Sequence, residues 1–175
     1  MSTPLVGIVM GSRADLPVME EASAQLEDLG IPHTIDVMSA QRHPDQVREF
    51  AARAEESGYR VIIAGAAGAA HLPGVIAAYT PLPVIGVPCL SDHLGGADAL
   101  YSTVQMPPGV PVATVGLDGA RNAAILAAQI LAVGDPDIAT KVRELRAEQT
   151  AERTEHREVL TDGASSSTGF GFRPS

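Results

Sequence analysis

Five short runs of apolar, largely β-branched residues recur along the chain, and most are followed by a longer segment with helical spacing. The runs are LVGIVM (5–10), HTIDVM (33–38), RVIIAG (60–65), LPVIGVP (82–88) and VPVATVG (110–116). The intervening segments are DLPVMEEASAQLEDLG, PDQVREFAARAEESG, LPGVIAAYT and GGADALYSTVQM, and GARNAAILAAQILAVGDP follows the fifth run. Strands separated by single helices pair in parallel through βαβ crossovers, and the helices then cover both faces of the sheet. The alternation predicts an α/β fold: a three-layer, doubly wound parallel sheet of about five strands. Pro17, Pro44 and Pro73 stand near helix starts, and Gly30 and Gly58 stand just past helix ends, where each residue type is tolerated best. In open parallel sheets, ligands bind beyond the carboxyl ends of the strands. That rule selects loops 11–15, 39–43, 65–72, 88–93 and 116–121 as places for chemistry.

After Asp135 the pattern changes. PDIATKVRELRAEQTAERTEHREVL is charged and Ala-rich, with Ile138, Val142 and Leu145 as a narrow apolar stripe. So thin a stripe predicts a helix that covers little of its own core, and that is either solvent-exposed or docked on a neighbouring subunit. The expected division is an α/β domain over 1–134, a C-terminal helix over 135–160 and a flexible tail over 161–175, where DGASSSTGFGFRPS is rich in Gly and Ser.

Composition narrows the function classes. With 175 residues, 45% apolar and 19% charged, the chain has the material for one globular domain. A net charge of −9 argues against nucleic acid or an anionic membrane as a general partner, but permits a local basic pocket for one phosphate. A single cysteine, Cys89, rules out an intrachain disulfide. No apolar run approaches the ~20 residues of a membrane span, and MSTPLVGIVMGS lacks the basic and apolar regions of a signal peptide. A cytoplasmic protein is expected.

Three loops carry side chains suited to a site. MGSRAD (10–15) offers Ser12 and Asp15 ahead of a helix; Asp15 reads equally as a ligand contact or as an N-cap. SAQRHPD (39–45) offers Ser39, Arg42 and His43. Arg42 suits a carboxylate or phosphate, with a surface ion pair as the plainer reading, and Pro44 makes His43 an N-cap of a disfavoured type. AGAAGAAHLPG (64–74) is a run of small residues that lets backbone approach a ligand closely, ending in His71. A fourth loop, PCLSDHLGG (88–96), holds Cys89 and His93. Two such residues make a weak metal or thiolate signal, and Cys89 reads better as a small buried hydrophobe.

Taken together, GIVMGS with Asp15, SA-R-PD, VIIAGA-GAAHLPG, PVIGVP, LYS-VQMP-GVPVATV and NAA-LAAQIL resemble the PurE family of 5-(carboxyamino)imidazole ribonucleotide mutases over residues 5–135. The resemblance implies a flavodoxin-like sheet, a homo-octamer with sites at subunit junctions, a C-terminal helix packed on a neighbour, and no metal or organic cofactor. It implies a ribonucleotide substrate whose carboxylate moves from an exocyclic nitrogen to a ring carbon. By position, Ser12, Asp15, Ser39, Ala40 and Arg42 match nucleotide-binding residues. Ala64, Gly65, Ala66, Ala70 and Leu72 match the loop around the base and the migrating carboxylate, with His71 as a catalytic candidate. At residue 41 the family's proton-transfer histidine is replaced by Gln41, which can hold hydrogen-bond geometry but cannot act as acid or base. Ala14, Ala67 and Arg121 also depart from the family pattern. The resemblance leaves three readings: a mutase or its His-to-Gln form, a carboxylase or decarboxylase acting on another carboxylated heterocycle, and a nucleotide-binding paralogue without turnover. His43 and His93 stand as alternative proton carriers.

Overall fold

The computed structural model describes residues 3–163. Five strands, β1 (Val6–Met10), β2 (His33–Val37), β3 (Val61–Ala67), β4 (Val84–Cys89) and β5 (Ala113–Thr114), form one parallel sheet in the order β2-β1-β3-β4-β5. Six α-helices connect and flank them: α1 (Leu16–Asp28), α2 (Pro44–Arg53), α3 (Leu72–Tyr79), α4 (Ala97–Val104), α5 (Ala120–Ala132) and α6 (Pro136–Gly163). Single helical turns at Arg13–Asp15 and Leu94–Gly96 lead into α1 and α4.

The three-layer arrangement expected from the alternation is present. Side chains alternate across a strand with a period of two, and β3 shows the consequence. Val61 and Ile63 join a core with Met19, Leu26 and the Ala-rich face of α5. Ile62, Ala64 and Ala66 join a second core with Val47, Ala51, Ile76 and Ala99 from α2, α3 and α4. The central strands β1 and β4 are buried throughout, as their unbroken apolar runs require. By contrast, β2 lies at the sheet edge and is only partly covered. At the other edge, the strand expected over 110–116 is reduced to Ala113–Thr114. Pro111 has no N–H for a ladder, and a strand with one neighbour has few bonds to spare.

The expectation for the C-terminal helix is corrected over its first turns. Ile138 is buried in the core that α1 and α5 share, and Val142 and Leu145 pack against it. Asp135 caps the helix by accepting from the N–H groups of Asp137 and Ile138 at 3.0 and 3.1 Å. Lys141 Nζ donates to Leu29 O at 2.8 Å, where α1 ends and Gly30 turns the chain at φ +61°. Three apolar residues suffice here because the small side chains of α5 let α6 approach closely. Gly163 ends the helix as described, so the rest of the expected tail, 164–175, lies outside the described residues.

Candidate active site

The strand order reverses between β1 and β3: the chain leaves β1 towards β2 and returns across it to β3. Loops at such a point part company and leave a crevice at the carboxyl edge. A cavity of about 260 Å³ occupies that crevice. Its walls come from three strand ends and the segments that follow them: Gly11, Ser12, Ala14 and Asp15 after β1; Ser39, Gln41 and Arg42 after β2; and Ala66 and Ala67 at the end of β3 with Ala69, His71 and Leu72 after it. Residues up to 61 positions apart, Gly11 and Leu72, thus meet because three parallel strands end at the same edge.

Ser12 accepts the Ala14 N–H at 3.2 Å and caps the short turn that leads into α1. Asp15 occupies the N-cap position of α1 but its side chain makes no cap hydrogen bond, and it is only 6% exposed. Burial raises its pKa above the ordinary 3.8, the Ser12 backbone N–H pulls the other way, and the charge of Asp118 adds to the rise. A buried carboxylate lining a cavity, not committed to its helix, has acceptor capacity left for a ligand. The N-cap reading of Asp15 therefore describes its backbone only.

Ser39, 5% exposed, organises the second wall. Its Oγ accepts from the Arg42 backbone N–H at 3.2 Å and from Arg42 Nε at 3.4 Å, and donates to Gln41 Oε1 at 3.4 Å. Arg42 makes no ion pair among the described residues, so its guanidinium keeps donors for an anionic group. Gln41 Nε2 donates to His71 Nδ1 at 2.9 Å and approaches Ala69 O at 3.5 Å. This bond joins the loops after β2 and β3.

Eight of the twelve residues proposed from the sequence line the cavity: Ser12, Asp15, Ser39, Gln41, Arg42, Ala66, His71 and Leu72. Four stand behind it. Ala64 is fully buried in the second core, and Ala40 packs against that core. The missing side chain of Gly65 makes room for Met19 of α1. Ala70 is buried, and its N–H donates to Ser102 Oγ at 2.9 Å. Ser102 Oγ directs its single hydrogen to Asp98 O at 2.7 Å, with Gly68 O also in reach at 3.3 Å, and its bond from Ala70 ties the small-residue loop to α4. Its role is invisible in the sequence, where it is one serine in an amphipathic helix. Ala69, Gly11, Ala14 and Ala67 line the cavity without having been singled out as contacts. The last two are positions that depart from the family pattern, whereas Arg121 lies elsewhere, with its Nε donating to Gln25 Oε1 at 2.8 Å.

The alternative chemistry does not assemble. His43 caps α2 without a side-chain hydrogen bond, and neither His43 nor His93 lines the cavity. Cys89 is buried, with Sγ donating to Val87 O at 3.6 Å. Burial, reinforced by the charges of Asp15 and Asp118, pushes its thiol up to about 12. A thiol so placed is a packing group.

The fold and the cavity define an α/β protein of flavodoxin-like strand order with a polar-lined cavity at the carboxyl edge of its sheet. The family model for AIR carboxylase matches residues 5–152. The chain is 58% identical over 143 residues to the N5-carboxyaminoimidazole ribonucleotide mutase of Pyrococcus abyssi, covering 82% of each protein. It is 57% identical over 143 residues to the mutase of the same name from Thermotoga maritima, covering 82% of this chain and 84% of that one. The solved structure of Treponema denticola PurE superposes with a TM-score of 0.82 at 30% identity, over 90% of this chain and 98% of that one. The chain belongs to the AIR carboxylase (PurE) family.

Proposed function

We propose that this protein is an N5-carboxyaminoimidazole ribonucleotide mutase of purine biosynthesis, moving a carboxylate from the exocyclic nitrogen of an aminoimidazole ribonucleotide to a ring carbon. One observation carries the reading: a single cavity gathers Ser12, Asp15, Ser39, Gln41, Arg42 and His71 from three loops, in a chain more than half identical to enzymes of that name.

Each wall has a task. Arg42 and Ser12 offer donors to the phosphate, and Asp15 offers a carboxylate to the ribose hydroxyls. Ala66, Ala67 and Ala69 present no large side chain, so the flat ring can lie close to backbone. In the reaction, the carbamate C–N bond breaks, its electron pair stays on nitrogen, and carbon dioxide is released beside the ring. The ring carbon, nucleophilic through its enamine character, forms the new C–C bond. Its proton is then lost, and the exocyclic nitrogen gains one, so the net proton count is unchanged. Holding carbon dioxide against the ring makes recapture effectively unimolecular. Gln41 stands where the resemblance places the proton-transfer residue, and its amide has no titratable proton. The proton therefore passes through water or the substrate's own groups, at a cost of about 10²–10⁴-fold relative to a positioned acid–base side chain.

Gln41, Arg42 and His71 are exposed in the single chain, whereas retention of carbon dioxide requires a covered site. Leu90, Leu94, Tyr101, Val104 and Leu117 are large apolar side chains open to solvent. Both features support a homo-oligomer, an octamer by the resemblance, in which a neighbour closes the cavity and receives the distal part of α6. Light scattering on the purified protein tests this. The absence, among the described residues, of any helix long and apolar enough to cross a membrane accords with a cytoplasmic role. The activity is tested by incubating the protein with the N-carboxylated and C-carboxylated ribonucleotides and following interconversion and carbon dioxide release, then repeating with Gln41→His. Interconversion by the wild type, raised in Gln41→His, is the expected result. Carbon dioxide release without interconversion would identify a decarboxylase, and binding without turnover in either form would identify a non-catalytic paralogue.

A further inference from the structure

The orientation of the Gln41 amide is determined by its surroundings. Ala69 O, at 3.5 Å, can only accept, so the amide atom facing it is nitrogen. Turning the amide over would set Gln41 Oε1 against that carbonyl and would turn Nε2 towards a Ser39 Oγ that already accepts from Arg42 N–H and Nε. With Nε2 donating, His71 Nδ1 is an acceptor at 2.9 Å and holds a lone pair. A neutral imidazole with a lone pair on Nδ1 carries its proton on Nε2. His71 Nε2 makes no hydrogen bond among the described residues, and the side chain lines the cavity.

The geometry points to His71 as a neutral Nε2–H donor that receives the carboxylate of the bound ribonucleotide, with Gln41 as the positioning residue that selects the tautomer. This assignment of the ligand group rests on the function proposed above; the tautomer rests on the amide geometry alone. No bond is made or broken at His71 in this role. The residue that cannot move a proton serves the reaction by deciding which imidazole nitrogen offers one. Because Nε2 already bears its hydrogen, His71 in this state is not the base for the ring carbon.

Two measurements on the full-length protein separate the parts. Long-range ¹H–¹⁵N correlation spectra, with His71→Ala providing the assignment, are expected to show His71 Nδ1 unprotonated and Nε2 protonated. In Gln41→Glu the carboxylate accepts from the ring, and the proton is expected on Nδ1. A protonated Nδ1 in the wild type, or a His71 spectrum indifferent to Gln41→Glu, would overturn the tautomer assignment whatever the substrate. Binding of the C-carboxylated ribonucleotide is then compared with that of its decarboxylated counterpart. His71→Ala is expected to weaken the carboxylated ligand by about 10–100-fold, as for a lost hydrogen bond to a charged group, and to leave the other within a few-fold. Equal weakening of both would remove the carboxylate role. Failure of the wild type to bind either ribonucleotide would sink the proposed function and, with it, the ligand assignment, while the spectra would still decide the tautomer.

Discussion

Ser39 Oγ accepts the backbone N–H of Arg42 at 3.2 Å and its Nε at 3.4 Å, so one nearly buried hydroxyl fixes both the turn and the guanidinium that follows it. The same oxygen donates to Gln41. Replacing it removes three partners at once and leaves a backbone donor short of one. Ser39→Ala is expected to destabilise the fold by about 1–2 kcal/mol in urea unfolding. It is also expected to raise KM for the ribonucleotide more than it lowers kcat, because Arg42 loses its anchor. An unchanged KM would show that Arg42 is held by the ligand alone.

Asp15 ties stability to pH. Burial raises its folded pKa above the ordinary 3.8, against the Ser12 N–H and with help from Asp118. The folded chain therefore holds this proton more tightly than the unfolded one. The stability gained is complete below the ordinary carboxylate range and is lost as pH rises through the folded value. Asp15→Asn removes the charge, so its stability is expected to exceed that of the wild type at neutral pH, with the two curves converging in acid. Denaturant unfolding from pH 4 to 8 checks the sign. Ligand affinity is expected to move the opposite way, since a carboxylate is the better acceptor for ribose hydroxyls. Stability and affinity moving in opposite directions would mark Asp15 as a residue of the site.

The distribution of these residues explains what could be read beforehand. Strand periodicity and helix punctuation identified five strands and their order along the chain, and the carboxyl-edge rule then selected the loops that hold Ser12, Ser39 and His71. Periodicity does not say where β3 ends, so the site-lining Ala66 near its carboxyl end is not told from Ala64, one pleat earlier on the same face, or from Gly65 on the other. The 2.9 Å contact between Gln41 and His71 joins residues 30 apart and exists only because β1 lies between β2 and β3. The stripe of Ile138, Val142 and Leu145 reads as covering little of its own core because its value depends on the small side chains of α5 opposite. Pro111, inside the fifth run, is the residue in the sequence that speaks for a short strand.

Cys89 offers a check on the core behind the cavity. With its thiol buried and pushed up to about 12, it is expected to be inert to maleimide in the folded protein at pH 8 and to react fully in guanidinium. Cys89→Ala is expected to keep activity within a few-fold and to cost about 1 kcal/mol of stability through the lost sulfur contacts. Rapid native-state labelling that tracks loss of activity would return Cys89 to the list of reactive groups.

Gly65 tests whether the packing behind the cavity matters to what happens in front of it. A Cβ at this position would overlap Met19 Sδ and lie 2.9 and 3.1 Å from Met19 Cε and Cγ. Met19 is fully buried in the core that holds Val61, Ile63 and the alanines of α5, so its flexible end can move only by displacing packed neighbours. Overpacking of this kind costs about 1–3 kcal/mol, which for a domain of this size lowers Tm by about 2–12 °C. Gly65→Ala is expected to fall in that range, and Met19→Ala in the same chain is expected to recover part of it, giving a coupling in the double-mutant cycle. Gly65 O also accepts the Gly11 N–H at 3.0 Å and joins the ends of β1 and β3. Ala66 and Ala67 follow directly, so any shift of β3 reaches the cavity wall. Activity is therefore expected to drop in Gly65→Ala even at temperatures where the protein is fully folded, and to return with Met19→Ala. Loss of stability with kcat/KM unchanged would show that the strand end holds its place against the strain behind it.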